Sequence, residues 1–251
     1  YGTGQFQDGY LNIRGLTRRL TQVNTQISIP FILSSKGYGL LWNNYGLTDF
    51  NPADQFVELT PANASGEAVT VNTTGTSGNV RETRQTYSFT ASVEVPRSGS
   101  YSLLLDVGQR MARKYYLVID GQKIMDVNNL WLPPTTSAIV ELTAGKHDIE
   151  VQGERNDKPV LYWRPVSEET VFRSPVAQML DYTVFAGNGD EVIASYRELT
   201  GPAPMMPLWS LGYIHCRERY NTQAELLENA KTKRYTLARL RRMMFQAYLG
   251  L

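Results

Sequence analysis

The sequence is short of several things that would fix a function at once. It has one cysteine, Cys216, in 251 residues, which excludes an internal disulfide framework and any cysteine-based zinc cluster. Neither sign of charge dominates: 25 Lys and Arg stand against 24 Asp and Glu, a net charge of +1. Nothing in that balance points to nucleic acid or to an anionic membrane surface. No apolar run approaches the roughly 18 residues that a membrane helix needs. Glycines come in pairs, "YGTG" at residues 1–4 and "GYG" at 37–39, but no third glycine opens a helix after either. A dinucleotide fingerprint needs strand, glycine turn and helix N-terminus in that order, so that backbone amides face the pyrophosphate. These glycines are therefore expected to serve tight turns and close strand approach. The chain opens on Tyr1 without a charged-then-apolar leader, and a strand-turn with no lead-in reads as a piece of a longer fold.

What is present is mostly strand. From Tyr1 to about Thr60 the text is strand-like, with turns at Asp8-Gly9, Ser34 to Gly37 and Asn43-Asn44. "PFILSSKGYGLLWNN" is a hairpin signature, two apolar runs around a polar turn. Pro61 to Gly78 is rich in Thr, Asn, Ser and Gly, the composition of a connector. Then "TYSFTASVEV" alternates, which predicts one face of Tyr87, Phe89, Ala91, Val93 and Val95. "PRSGS" turns the chain and "YSLLLDVG" returns; "KYYLVIDGQKIMDV" predicts a hairpin at Asp120-Gly121. "SAIVELTAGKHDIEVQGE" predicts another pair turning at Ala144-Gly145, and "PVLYWRPV" closes a set of short strands spaced as in a sandwich.

After the strand "DYTVFAG", "NGDEVIASYRELTG" predicts a helix capped by Asn188 or Asp190. Val192, Ile193, Tyr196 and Leu199 share its face, and Gly201 sits past its end. Beyond a proline-stiffened link, "LWSLGYIHC" predicts a strand covered on both faces. A helix follows, capped by Thr222 with Glu225 at the capping-box position. Strand then helix is the first unit of a parallel α/β arrangement. No acidic residue occurs after Ala230; the expectation there is a frame error or truncation, with an anion-binding basic helix as the alternative.

Candidate chemistry is sparse. His147, in an alternating strand beside a turn, is expected to be exposed. His215 and Cys216 are adjacent on a strand, so they face opposite ways and do not form a nucleophile pair. If that strand belongs to a (β/α)8 barrel, His215 and Arg217 lie at its carboxyl end, where barrel active sites open. No pair of carboxylates is placed for glycoside hydrolysis. Asp120 and Asp126 read as turn residues, and the acids of "ERNDKP" as solvated surface. "DVNNLWLPPTTS" sets Trp131 beside Asn128 and Asn129, an aromatic face with amide hydrogen-bonders, as in sugar recognition. The alternative is a tryptophan folded back onto its own sandwich.

Several segments together resemble glycoside hydrolase family 31, the α-glucosidase and α-xylosidase family: "YGTGQFQDG", "SIPFILSSKGYGLLWNN", "DYTVFAGNGDEVIASYRELTGPAPMMPLWSLGY" and "RYNTQAELLENAK". The resemblance covers roughly the first sixty residues and 173 to 230. Between them, "SGSYSLLLDVGQRMARKYYLVIDGQKIMDVNNLWLPPTTS" resembles a protective-antigen-type β-domain inserted in some α-xylosidases. The implied fold is mainly β: a β-sandwich interrupted by a second sandwich-like insert, then the first βα unit of a truncated (β/α)8 barrel. The implied domains are 1–61, an inserted 62–172, a return over 173–201, and a barrel start from 202, with the tail from about 231 set apart. "TRRLTQVN" matches a loop that the family sends towards the sugar, which carries Gln22 and Asn24 over as substrate contacts. Asn129 and Trp131 join them from the insert, and Tyr213, His215 and Arg217 from the first barrel strand.

The resemblance implies a fragment of a retaining exo-acting α-glycosidase without a metal or organic cofactor, most simply an α-xylosidase acting on xyloglucan-type oligosaccharides. An α-glucosidase is the alternative within the family, and a stand-alone carbohydrate-binding module the alternative outside it. The family's catalytic aspartates lie on later barrel strands, so this chain alone is expected to be inactive. The partner is an oligosaccharide, with no nucleic acid and no membrane insertion. A periplasmic or secreted bacterial home is implied by resemblance only.

Overall fold

A computed structural model of the chain describes residues 1–23, 26–44, 46–62, 68–75, 78–108, 115–127, 135–211 and 220–232. Two compact units are defined, Tyr1–Tyr196 and Arg197–Leu251. The protein is mainly β. In the first unit the chain lays down β1 (Gly2–Gln5), β2 (Arg18–Leu20), β3 (Ile27–Ser34), β4 (Tyr38–Trp42) and β5 (Thr48–Phe50). It then passes through β6 (Gln55–Glu58), β7 (Thr60–Pro61), β8 (Ala68–Gly75), β9 (Gly78–Gln85), β10 (Tyr87–Val95) and β11 (Gly99–Asp106). β12 (Tyr115–Ile119), β13 (Gln122–Val127), β14 (Thr135–Leu142), β15 (Gly145–Gly153) and β16 (Val160–Pro165) come next. It returns through β17 (Phe172–Arg173) and β18 (Tyr182–Ala186) to the helix α1 (Gly189–Thr200).

These strands make two bodies. The first has a sheet β1-β3-β4-β18 facing a sheet β17-β5-β2, with Ile13, Leu16, Ile32 and Phe50 buried between them. Trp42 stacks on Phe172 at 5.5 Å and on Tyr182 at 6.3 Å, and its indole N–H donates to Ser174 Oγ at 2.9 Å. The second body is a sandwich of β13-β12-β15-β10-β7 over β14-β11-β16-β6. Its core includes Phe89, Val95, Leu103, Leu105, Leu117, Val151 and Leu161, so the alternation predicted for residues 87–95 holds. The turn at Asp120-Gly121 holds too, with φ of +49° and +80° as a two-residue hairpin of this kind requires.

The paired glycines shape the sheet, as expected. A Cβ on Gly4 would lie 2.1 Å from the carbonyl oxygen of Ile27 on the neighbouring strand. A Cβ on Gly39 would meet Val192 at 2.5 Å and Phe31 at 3.0 Å, so Gly39 is what lets α1 lie close on the sheet. Tyr196 of α1 completes that contact against Phe31, at 4.9 Å between rings. The helix is capped by Asn188, whose Oδ1 accepts from the N–H groups of Asp190 and Glu191, while Glu191 reaches back to the N–H of Asn188 at 2.8 Å. Only Val192 of its predicted apolar face is fully buried; Ile193 and Leu199 are exposed.

Several expectations are corrected. Residues 68–75 and 78–85, the former read as part of a connector, form the two-stranded ribbon β8-β9; alternating Thr and Val favour strand over loop. The strands turning at Ala144-Gly145 do not pair as a hairpin, and the turn at 96–98 likewise links strands of different sheets. β10 and β11, and likewise β14 and β15, lie in different sheets, because β11 is buried on both faces and needs the first body on its outer side. His147 is buried, 5% exposed, not on the surface. Asp157 of "ERNDKP" is 7% exposed: its Oδ2 accepts the Glu154 N–H at 2.6 Å, and Oδ1 has no hydrogen-bond partner. Burial pushes this carboxyl up to about 7. In the second unit, Leu208–Leu211 is a 3-10 turn with Leu208 and Leu211 exposed, not the start of a buried strand. The helix over 223–232 is capped as predicted, with Glu225 N–H donating to Thr222 Oγ1 at 3.1 Å.

Candidate functional site: a polar recess between the two bodies

Tyr10, Thr17 and Arg19 form the seam between the bodies. Thr17, 1% exposed, donates its N–H to Ser102 Oγ at 2.7 Å, and its carbonyl oxygen accepts from Ser137 Oγ at 2.5 Å. Tyr10 contributes its phenol, which accepts the Ile139 N–H at 2.8 Å. Each of these buried backbone groups thus finds a hydroxyl from the other body, which avoids the cost of burying it unpaired.

Two arginines anchor the seam in opposite directions. Arg18, 2% exposed, makes a bidentate pair with Asp8, Nε to Oδ2 at 2.7 Å and Nη2 to Oδ1 at 2.5 Å. It also donates to Thr3 Oγ1 and lies 4.5 Å from the Phe6 ring centroid. Arg19 reaches the other way, to Asp49 at 3.2 Å and to Asp106 of the second body at 2.8 Å. Burial acts to lower its pKa, but the two carboxylates outweigh that and raise it. Arg19 is therefore a permanent cationic rivet across the seam.

Beside Arg19 lies a recess lined by Phe6, Gln7, Asp8, Gln26, Val127 and Thr135, among others. Its lining places together the flanks of two segments singled out in the sequence. Arg19 and Gln26 bracket residues 20–25, which carry Gln22 and Asn24; Val127 and Thr135 bracket residues 128–134, which carry Asn129 and Trp131. The first segment is held by a backbone bridge between Val23 and Gln26, with N···O distances of 3.2 and 3.3 Å, and by Gln26 Nε2 donating to Thr21 O at 2.8 Å. Gln22 is exposed, and its side-chain carbonyl accepts the Ser28 N–H at 2.9 Å, which leaves its amide N–H2 as the part that can meet a ligand. Asn24, Asn129 and Trp131 lie outside the described residues, as do Tyr213, His215 and Arg217 in the second unit.

The recess has a volume of about 30 Å³. That admits a water or two but no pyranose ring, so the recess itself is not a sugar pocket. The carboxylates around it are engaged: Asp8 by Arg18, Asp49 and Asp106 by Arg19. They anchor structure and do not offer a free nucleophile and acid at the spacing glycoside hydrolysis needs. Among the described residues no group of three or more His, Cys, Asp or Glu is arranged to hold a metal ion, and no helix is long and apolar enough to cross a membrane. Sequence reasoning missed Arg19 and Gln26 as parts of this rim, because a charge in a strand-like stretch reads as solvent-facing until its partners are known.

Comparison with known proteins fits this architecture. The solved structure of a family 31 α-xylosidase from Xanthomonas citri superposes on 94% of this chain and 30% of its own, with a TM-score of 0.67 and 26% identity. The fold is therefore that of the β-rich region of a family 31 enzyme. An α-xylosidase of Saccharolobus solfataricus is 25% identical over 231 residues, 92% of this chain and 16% of that protein. A family 31 glucosidase sequence of Pseudescherichia vulneris is 54% identical over 44 residues, 18% of this chain and 8% of that protein. No protein-family profile matches. On these similarities the chain resembles a segment of glycoside hydrolase family 31 proteins, and it spans less than a fifth of the length of these two sequence relatives.

Proposed function

We propose that this chain is the substrate-facing β region of a retaining exo-acting α-glycosidase, most specifically an α-xylosidase acting on xyloglucan-type oligosaccharides. The observation that carries this is the extent of the likeness. Similarity to proteins named α-xylosidase runs through both bodies, over 92% and 94% of the chain, whereas likeness to a protein named α-glucosidase 2, from Bacillus thermoamyloliquefaciens, covers 54 residues. A match confined to the first body would have favoured the α-glucosidase reading equally.

In this reading the chain supplies recognition and not bond cleavage. The segments 20–25 and 128–134, whose described flanks Arg19, Gln26, Val127 and Thr135 line one recess, would present amides and an indole to the sugar. Gln22, Asn24 and Asn129 would hydrogen-bond hydroxyls, and Trp131 would stack on the C–H face of a ring. Tyr213, His215 and Arg217 would approach from the first strand of a (β/α)8 barrel beginning after residue 202. The catalytic carboxylates belong to later barrel strands, and the chain alone does not hydrolyse. We place the inserted domain over about 62–172. Pairing of β6 with β16 and of β7 with β10 supports a seam slightly earlier, between Phe50 and Gln55. The protective-antigen-type character of the insert rests on its sequence motifs.

The test is to recover the source locus and express its full reading frame. Release of xylose from a xylosylated gluco-oligosaccharide, faster than glucose from an α-glucoside, is expected. Preference for the α-glucoside would overturn the xylosidase assignment. A locus with no further strand–helix units beyond this segment would overturn the enzyme reading and leave a sugar-binding module.

A further inference from the structure

We propose that His147 is a proton-operated clip, holding two turns of the second body together in acid and releasing them as the pH rises. The reason lies in the number of protons its partners demand. Nδ1 of His147 lies 2.5 Å from Asp120 Oδ2, and Nε2 lies 2.8 Å from the carbonyl oxygen of Thr143. A carbonyl only accepts, and an ionised carboxylate only accepts. Both ring nitrogens must therefore donate, which requires the imidazolium. A neutral ring has one N–H and leaves a lone pair facing either the carboxylate or the carbonyl, in a site where the residue is 5% exposed. Such an unpaired contact is costly when buried.

The two acceptors belong to different turns. Asp120 sits in the β12–β13 turn with φ +49°, and Thr143 lies just past the end of β14. Asp120 is further tied to β15, its Oδ1 accepting the Asp148 N–H at 2.9 Å and its own N–H donating to Asp148 O at 3.0 Å. One ring thus joins the tips of three strands. The clip lies at the ends of β13 and β14 remote from the recess described above, so it is independent of the sugar reading.

Asp120 is the charged group that meets the ring. Lys146 and Asp148 flank His147 in sequence and point to the opposite, solvent-facing side of β15, where both are exposed. Across the sheet, Val93 of β10 stands opposite His147, and exposed Glu94 opposite Lys146. Arg97, in the turn after β10, is exposed and gives its backbone oxygen to the Tyr101 phenol. Glu141 of β14 is hydrogen-bonded to Ser100, and Lys123 of β13 pairs with Asp126 at 3.2 Å.

These acceptors also set the direction of the pH effect. The Thr143 carbonyl and then the Asp120 carboxylate raise the His147 pKa above its ordinary 6.5, against a smaller effect of burial. A group bound more tightly to its proton when folded stabilises fully below its ordinary pKa. That contribution is lost as the pH rises through the raised value. On the acid side the clip ends where Asp120 protonates, and the bonds from His147 and the Asp148 N–H hold that carboxyl below its ordinary 3.8.

The test uses the full chain. The imidazole of His147 is titrated by NMR, its signals distinguished from those of His215 by a His215→Ala variant, and amide exchange is measured at Asp148 and Asp120. The expected result is a His147 titration displaced upward from 6.5, with both ring N–H groups present in acid. Protection of the Asp148 amide, corrected for intrinsic exchange, should fall about tenfold per pH unit between the ordinary and the raised value, the slope of one proton. His147→Gln, which can satisfy one acceptor but not both, should flatten that dependence, and Asp120→Asn should bring the titration back towards the ordinary range. A wild-type His147 that titrates at or below 6.5, or protection that does not change from about pH 6 to about pH 9, would overturn the proposal even if both variants failed to fold.

Discussion

The two bodies of the first unit are held together by different physics. The second sandwich has a continuous dry core, with Leu105, Leu117, Val151 and Leu161 all fully buried. The first has a small apolar centre around Leu16 and Phe50 and separate aromatic contacts around Trp42 and Phe31, and it also buries polar pairs, notably Arg18 with Asp8 and Thr17 with Asn51. Its surface in turn exposes Ile27, Ile29, Tyr182, Val184 and Met179. A body with a dry core is stable through burial alone. One built on paired charges is specified by geometry, and loses more when a partner is removed than it gains from having the pair.

That contrast orders the expected effects of mutation. Arg18→Ala should cost most, roughly 3–5 kcal/mol, because it leaves the Asp8 carboxylate buried without its partner. Urea unfolding should show the loss in the first body while the second keeps its own transition. Equal weakening of both would mean the bodies are not distinct. Leu105→Ala should cost roughly 2–5 kcal/mol by opening a cavity in the second core, and its effect should appear in the other transition. Gly39→Ala should cost about 1–3 kcal/mol by driving a methyl group into Val192. Combining it with Val192→Ala should recover part of that, and strict additivity would show that the close approach of α1 is not the cause. Asn188→Ala should remove about 1 kcal/mol by uncapping α1, read as lost helicity.

The smallest effect is a gain that depends on pH. Asp157 is pushed up to about 7 from 3.8 by burial. Its contribution is therefore complete below the ordinary carboxylate value and is lost as the pH rises through about 7. Asp157→Asn removes that dependence and should melt slightly higher than the wild type in mild alkali. An unchanged pH profile would place the carboxyl in a more solvated setting than the structure gives it.

Much of this was legible from local rules. The hairpin over 30–46, the alternation of 87–95, the turn at Asp120-Gly121 and both helix caps each depend on a few neighbouring residues, and each is present. What was not legible depends on distant partners. His147 and Asp157 look solvated in sequence because nothing nearby says that Asp120, 27 residues from His147, or a closed loop will cover them. Whether a turn makes a hairpin or sends a strand to the opposite sheet is likewise decided by what covers its outer face. β11 needed the first body for that. Of the candidate site, Asn24, Asn129, Trp131, Tyr213, His215 and Arg217 lie outside the described residues, and the lining of the recess by Arg19 and Gln26 was not legible, because their partners are distant in sequence.

The most direct test of the account is to titrate the isotope-labelled full chain with a xylosylated gluco-oligosaccharide and monitor backbone and side-chain amide shifts. On this account, saturable shifts are expected at Gln7, Gln26, Thr135 and Thr136, which line the recess between the bodies, and at Gln22 beside it. Shifts confined to the outer sheet face from Lys146 to Glu150, or none that saturate, would contradict it.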